Sequence, residues 1–306
     1  MQEYVMGNGA IALGALAAGV NLVAGYPGTP SSEILETISK YRHDGVYIEW
    51  SVNEKAAMEV AAAAAYSGAR AMVTMKQVGL NVAADPLMSL AYVGVKGGMV
   101  IVSADDPGPI SSQTEQDTRR FADFCRIPVF DPSSPEEAYK MIGDAFEYSE
   151  KYNTPVLFRP TTRVCHAYAS IDNCDSPSPK KYEGFVKDSK KWVIFPRLSF
   201  ANHIMIEKRN VEIGKDFSTY SANEAEGGNS EKAVVTSGIS YAYTKECLKD
   251  YPDVKLIKIA TAYPFPEDFV LSSLEGAKEV LCIEELSPFI EEQILKLAGK
   301  HGLQLK

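Results

Sequence analysis

VYIEWSVNEKAAMEVAAAAAYSGARAMVTMKQVGLNVAADPLMS, residues 46–89, is the stretch from which the fold of this chain can be read. A β-branched and aromatic run (Val46, Tyr47, Ile48, Trp50) predicts a strand that delivers Asn53 and Glu54 to a helix of small residues, 55–66, stopped by Gly68. A second apolar strand, 71–75, then opens into Gly79 and another small-residue helix toward Pro86. This alternation predicts parallel strands with helices lying close to the sheet. The alanine run Ala61 to Ala65 predicts a helix buried on more than one side. One carboxylate, Glu54, stands where a strand feeds a helix.

Upstream, residues 9–18 read as a helix and 22–26 as a short strand. The strand ends in Tyr26-Pro27-Gly28-Thr29-Pro30-Ser31-Ser32-Glu33. There Thr29 is placed as N-cap, Pro30 at the first helical position and Glu33 in the first turn. In open parallel sheets, turns at the carboxyl ends of strands are where ligands bind. Downstream, the apolar strand 98–104 ends in Asp105-Asp106-Pro107-Gly108-Pro109. A polar loop containing Ser112 and Gln113, a charged helix 115–124 and a strand 127–130 follow. A helix opening at Ser134-Pro135-Glu136-Glu137 carries a capping box and leads to a strand at 154–159. Six short apolar strands alternating with helices predict a doubly wound parallel α/β domain over residues 1–171. Residues 172–230, opening in a Pro-, Ser- and Lys-rich stretch, read as a linker with one helix, 198–212. Strands at 233–236, 254–259 and 279–283 predict a smaller α/β domain over 231–306.

Composition narrows the function classes. With 306 residues, 45% hydrophobic and 23% charged, the chain has core material for about two domains. A net charge of −9 argues against a nucleic-acid partner, which needs clustered Lys and Arg. The five cysteines are scattered without a C-x₂-C pair, and the four histidines have no zinc-like spacing, so no metal or iron–sulfur site is expected in these residues. Reduced thiols, the lack of a basic region ahead of the apolar 6–20 segment and the absence of a membrane-length apolar run lead to an expected cytoplasmic location. Gly7-Asn8-Gly9 with Gly14 lacks the strand that a dinucleotide fingerprint needs before it, and no G-x-S-x-G nucleophile elbow occurs.

Glu54 has two readings on residues alone. Ser51-Val52-Asn53-Glu54 has capping-box spacing, which would give Glu54 a purely structural task. Alternatively, a carboxylate among Trp50, Val52 and Met58 would be partly desolvated and suited to proton exchange with a bound base.

Beyond this point the motifs resemble a known family. Asn53-Glu54-Lys55-Ala56-Ala57, Gly68-Ala69-Arg70 and Thr74-Met75-Lys76-Gln77-Val78-Gly79 together resemble the pyrimidine-binding domain of thiamine diphosphate enzymes. With the Tyr26–Glu33 turn, Ser103-Ala104-Asp105-Asp106-Pro107-Gly108 and Ser111-Ser112-Gln113-Thr114-Glu115-Gln116-Asp117, the likeness narrows to alpha subunits of indolepyruvate oxidoreductases. These belong to the 2-oxoacid:ferredoxin oxidoreductase family. The resemblance extends over essentially the whole chain, the second domain being similar to a transketolase C-terminal-like domain.

The resemblance implies that Glu54 is catalytic, hydrogen-bonding the aminopyrimidine ring of thiamine diphosphate, with Gln77, Val78 and Gly79 beside the cofactor. It implies that Thr29, with Gly28 and Pro27, meets the substrate, Thr29 near its carboxylate. Gly28 is expected to leave room for an aryl pyruvate such as indolepyruvate. Asp106, Ser112 and Gln113 are further candidates on the loop side. The implied reaction is oxidative decarboxylation of a 2-oxoacid to an acyl-CoA and CO2. Electrons pass through iron–sulfur clusters to ferredoxin, and coenzyme A takes the acyl group.

In this family the diphosphate and its Mg2+ are held by a domain with a G-D-G motif, and the clusters by a ferredoxin-like domain. Neither motif set occurs in these 306 residues. The chain is therefore expected to supply an aminopyrimidine half-site within a homodimer or a hetero-oligomer with diphosphate-binding and beta subunits. Two alternatives stay open: a non-catalytic assembly module of such a complex, and a component of a non-redox thiamine-dependent decarboxylase.

Overall fold

The computed structural model describes residues 2–42, 44–172, 179–227 and 230–306. His43, Cys174 and part of the expected linker lie outside the described residues. In chain order, β1 (Gln2–Met6) leads to α1 (Gly7–Ala17), β2 (Leu22–Gly25), α2 (Ser32–Tyr41), β3 (Tyr47–Trp50) and α3 (Glu54–Tyr66). Next come β4 (Ala71–Lys76), α4 (Gln77–Val82), α5 (Ala84–Val93), β5 (Met99–Ala104), α6 (Thr118–Cys125) and β6 (Val129–Phe130). They are followed by α7 (Pro135–Tyr152), β7 (Val156–Phe158), α8 (Thr162–His166), β8 (Tyr168–Asp172), α9 (Ser189–Trp192) and α10 (Pro196–Ser218). The remainder is β9 (Glu224–Glu226), β10 (Lys232–Ser237), α11 (Ile239–Cys247), β11 (Lys255–Ile259), α12 (Glu267–Ser273), β12 (Glu279–Ile283) and α13 (Phe289–His301).

All six apolar runs anticipated as strands form one parallel sheet, in the order β3-β2-β4-β5-β7-β6. Its central strands are predominantly apolar because helices cover both faces: every residue of β5 is buried. On one face lie α1, α2 and α7; on the other lie α3, α4, α5 and α6. Gly14 lets α1 approach α7 closely, since a Cβ there would stand 2.3 Å from the Tyr139 carbonyl oxygen. Likewise a Cβ on Gly7 would stand 1.9 Å from the carbonyl oxygen of Val164, so these glycines serve helix packing. A second sheet, β12-β10-β11-β9, is parallel except for its edge strand β9, and its buried residues continue the core on the α3 side.

Several sequence expectations shift. Residues 224–226, expected in the linker, form β9 and cover the outer edge of β11, which would otherwise offer unpaired backbone groups. The expected 198–212 helix runs from Pro196 to Ser218 and buries Ile206, Ile213 and Phe217. Thr29 is not a helix cap. The Thr29–Pro30 bond is cis, α2 begins at Ser32, and Ser31 occupies the cap position. The turn is closed instead by the Ser31 hydroxyl donating to the Gly28 carbonyl (2.9 Å) and by the Gly28 N–H donating to Ser32 Oγ (2.8 Å). Helix α6 starts at Thr118, three residues later than expected, because Asp117 caps it by accepting from the Arg119 N–H. Of the five alanines, Ala61, Ala62 and Ala65 are buried but Ala63 is exposed, so α3 buries one broad face. The pair β1 and β8, antiparallel and fastened by stacked Tyr4 and Tyr168, was not foreseen.

Candidate active site

The chain leaves β2 outward to β3, then crosses back past β2 to β4. Such a reversal opens a crevice at the carboxyl ends of the strands, the place where parallel α/β sheets bind ligands. The ends of β2, β3, β4 and β5 bring to it, in turn, Pro27–Thr29, Glu54, Lys76–Gly79 and Asp105–Asp106.

Glu54 is the first residue of α3, and the geometry bears on its structural reading. Asn53, not Ser51, is the N-cap: its side chain accepts from the Ala56 N–H at 2.9 Å. The Ser51 hydroxyl donates to Glu49 instead (2.5 Å). Glu54 is therefore not the far member of a capping box. Its half-buried side chain lies across α4, so close over Gly79 that a Cβ there would stand 2.6 Å from Oε1 and 2.7 Å from Cγ. Among the described residues the Glu54 carboxylate has no hydrogen-bond or ion-pair partner, unlike its neighbour Lys55, which pairs with Asp85 at 2.9 Å. The expected wall of Trp50 and Val52 is only partly there: Val52 is 84% exposed and Trp50 41%. Met58 beneath is buried. The carboxylate thus sits on a floor of protein with one side open.

Lys76 is the site residue that sequence reasoning passed over, although it lies inside the motif quoted above. It ends the central strand β4 and is half-buried, and its Nζ makes a long 3.5 Å contact to the Ser111 carbonyl and no ion pair among the described residues. Its stem runs over Gly28, where a Cβ would stand 3.2 Å from Lys76 Cδ. The space beside Gly28 is thus bordered by the flexible Lys76 stem. The signal was present in the sequence, since a lysine at the carboxyl end of a buried parallel strand puts a cation into the crevice. Thr29 is exposed beside it, and its carbonyl accepts from the Ser111 hydroxyl (3.1 Å), which ties the first turn to the 110–114 loop. Pro27 is exposed on the same turn.

Gln77 is fully buried, with Nε2 donating to the Thr114 carbonyl (3.3 Å) and Oε1 without a donor. Val78 is half-buried. Asp106 braces the loop: Oδ2 accepts from the N–H groups of Ile110 (3.1 Å) and Ser111 (2.9 Å), and Oδ1 from the Thr162 hydroxyl (2.8 Å). Burial pushes its carboxyl up, but those donors outweigh it and hold it below the ordinary range. Asp106 is thus occupied with loop geometry. Ser112 is half-buried further along that loop, and Gln113 is exposed.

Beneath the crevice lies a fully buried ionic cluster. Arg159 Nε donates to Asp105 (2.7 Å) and Nη1 reaches Asp131 (3.2 Å). Burial pushes the Asp105 carboxyl up to about 6, against the pull of Arg159. Arg119, also fully buried, joins the two sheets. It donates to Asp117 (2.7 Å), to Glu284 (2.9 Å) and to the carbonyls of Glu285 (2.9 Å) and Ser287 (3.1 Å). No local pattern marks Arg119 as a latch, because every partner except Asp117 is more than 100 residues away. Among the described residues no group of His, Cys, Asp and Glu is arranged to hold a metal ion, and no helix is long and apolar enough to cross a membrane.

A family model described as pyruvate flavodoxin/ferredoxin oxidoreductase, thiamine diphosphate-binding, matches residues 13–221. The chain is similar to the indolepyruvate oxidoreductase subunit IorA of Thermococcus kodakarensis, 43% identical over 310 residues that cover 98% of this chain and 48% of the relative. It spans about half the length of the curated relatives it matches. Its fold is similar to that of the 2-oxoglutarate:ferredoxin oxidoreductase from Magnetococcus marinus solved with 2-oxoglutarate, coenzyme A and succinyl-CoA (TM-score 0.76, 18% identity, covering 100% of this chain and 60% of that one). A split-gene transketolase, an inactive beta4 tetramer, matches with TM-score 0.62 and 13% identity over 96% of this chain and 84% of that one. These two matches accord with a pyrimidine-binding sheet joined to a transketolase C-terminal-like one.

Proposed function

The chain belongs to the pyruvate flavodoxin/ferredoxin oxidoreductase thiamine diphosphate-binding family, and from that premise we propose that it supplies the aminopyrimidine half of the active site in a 2-oxoacid:ferredoxin oxidoreductase. The substrate is indolepyruvate or another aryl pyruvate, by likeness to the IorA relatives. The products are an acyl-CoA, CO2 and reduced ferredoxin. The diphosphate, its Mg2+ and the iron–sulfur clusters are held by parts outside these residues, and the exposed rim of Tyr26, Trp50, Val52 and Ile110 is where the diphosphate-binding domain closes the site.

The observation that carries this reading is the Glu54 carboxylate, presented without a partner over the side-chain-free face of Gly79. An ionised carboxylate on a partly apolar floor is suited to one strong, charge-assisted hydrogen bond with a protonated ring nitrogen. Thiamine diphosphate, when bound, supplies the carbon nucleophile and the electron sink that decarboxylation of a 2-oxoacid requires. Glu54 holds the proton at the aminopyrimidine, Gly79 gives the carboxylate its place, and Gln77 fixes the start of α4 through its buried amide. Lys76 and Thr29 take the carboxylate of the 2-oxoacid; a lysine with no ion pair of its own is free to bind an anion at little desolvation cost. Asp106 keeps the 110–114 loop against the Thr29 turn.

The test is a calorimetric titration with thiamine diphosphate and Mg2+, on the chain alone and with its diphosphate-binding partner, for the wild type and Glu54→Gln. Binding only in the presence of the partner, and turnover reduced about 10²-fold or more in the Gln variant, is expected. Turnover unchanged by Glu54→Gln in the complete enzyme would leave this chain a scaffold.

A further inference from the structure

At the opposite edge of the parallel sheet, where α5 and α7 end, a cavity of about 650 Å³ is enclosed by those two helix ends, the short helix α9 and one face of α10. Its walls carry Lys151, Lys190, Lys191 and Arg209 against a single acid, Glu212. Lys151 is neutralised by Asp216, and Glu212 is engaged by Lys215 at 3.1 Å. Lys190, Lys191 and Arg209 have no ion pair among the described residues. Apolar wall is supplied by Leu198, Met205 and Ile206 and by the Tyr92 ring.

Arg209 is the unusual member. Its Nε and Nη2 are out of reach of solvent and meet no acceptor, leaving Nη1 as the edge of the guanidinium that faces outward. Burial without a counter-charge lowers its pKa to about 10. A buried guanidinium is ordinarily matched by a carboxylate, because an unpaired one forfeits its hydration without recompense. The two fully buried arginines obey that rule: Arg119 has Asp117 and Glu284, and Arg159 has Asp105 and Asp131, whereas Arg209 is half-buried with Nε and Nη2 inside and unmatched. In α10, Arg209 stands between Ile206 and Asn210, the latter donating to the Arg126 carbonyl (3.2 Å), and it makes no ion pair among the described residues.

We propose that this cavity is a binding site for a small organic anion, a carboxylate or phosphate on an apolar body, with Arg209, Lys190 and Lys191 as its charge partners. The site lies across the sheet from the Glu54 crevice and does not depend on the function proposed for that crevice. It unites the linker segment of α9 with α5, α7 and α10, so an occupant would tie together elements whose strands run to the opposite edge.

The experiment compares the thermal unfolding of the chain with that of Arg209→Met, at constant ionic strength, with chloride replaced stepwise by phenyl phosphate or by benzoate. The expected result has two parts. Without either probe, Arg209→Met is at least as stable as the wild type, because an uncompensated buried charge has been removed while the stem is kept. With a probe at about a hundredfold over its Kd, Tm of the wild type rises saturably by about 5 °C and Tm of the variant does not. The probe giving the larger shift identifies the head group. A variant less stable than the wild type, or equal shifts in both proteins, would overturn the proposal, as would the absence of saturable heat when wild-type protein is titrated with either probe. Should Arg209→Met fail to fold, Arg209→Gln and the wild-type calorimetry carry the same decision.

Discussion

Gly79→Ala separates the work of Glu54 from the stability of the fold. An added Cβ would lie 2.6 Å from Glu54 Oε1, 2.7 Å from Cγ and 2.9 Å from Cδ, and these are its three nearest neighbours. Comfortable contact between such atoms begins at about 3.5 Å, so the carboxylate must withdraw by roughly 1 Å. It can do so, because Glu54 is half-buried, unpartnered and open to solvent on one side. None of these three atoms belongs to the backbone, and position 79 lies within α4, where alanine is favoured over glycine by about 1 kcal/mol. Stability should therefore hold or rise by up to about 1 kcal/mol, measured by urea unfolding. A misplacement of about 1 Å at a group that must meet a reacting ring is enough for about a 10²-fold loss in rate. That loss is expected in kcat/KM for 2-oxoacid-dependent dye reduction by the complete enzyme. The double variant Gly79→Ala with Glu54→Gln should be hardly worse than Glu54→Gln alone, since both act through one carboxylate. Activity within about threefold of wild type would refute the reasoning, and so would a loss of stability beyond about 1 kcal/mol, which would mean that Glu54 is held in place by the fold and not lying free over the glycine.

Three further outcomes follow from particular contacts. Lys76→Met should raise KM for the 2-oxoacid by about 10-fold or more, the worth of a charged hydrogen bond, with kcat changed less; an unchanged KM in steady-state kinetics would remove Lys76 from the substrate. Arg119→Met should destabilise the chain by about 3–5 kcal/mol in urea unfolding, because Asp117, Glu284 and two carbonyls lose their buried donor; a smaller loss than an exposed pair such as Lys55–Asp85 would contradict the latch. Burial pushes Glu150 up, but the forks from Arg70 (2.8 Å) and Lys180 (2.7 Å) outweigh it and hold the carboxyl at about 2 against the ordinary 4.5. Its folded-state pKa is depressed, so the stability it contributes is present above pH 4.5 and lost as pH falls toward 2. In Glu150→Gln that arm of the stability profile should flatten, and an unaltered acid arm would refute the assignment.

How far the sequence carries this protein can be judged element by element. Local pattern sufficed for the six strands of the parallel sheet, because a strand covered on both faces must be apolar throughout and each run is bounded by a turn or a cap. It also placed Glu54 and the Tyr26–Glu33 turn at the carboxyl ends of strands, whereas the roles expected of Thr29 and of Gln77–Gly79 came from the family resemblance and not from local pattern. Direction and contact were a different matter. Whether Glu54 caps its helix or reaches across α4 depends on a competition between Ser51 and Asn53 for the cap, which either spacing permits and only the assembled backbone decides. That the Lys76 stem lies beside Gly28 follows from β2 lying beside β4, a neighbour relation set by the crossover through β3. The short strand β9 was invisible because three residues of mixed polarity have no period of their own and acquire strand geometry only from β11. Arg119 and Arg209 are both arginines within helices, and no local pattern separates them. Tertiary structure gave one a ring of acceptors and left the other with none, because charge pairing across more than a hundred residues is a property of the packed chain and not of its sequence neighbourhood.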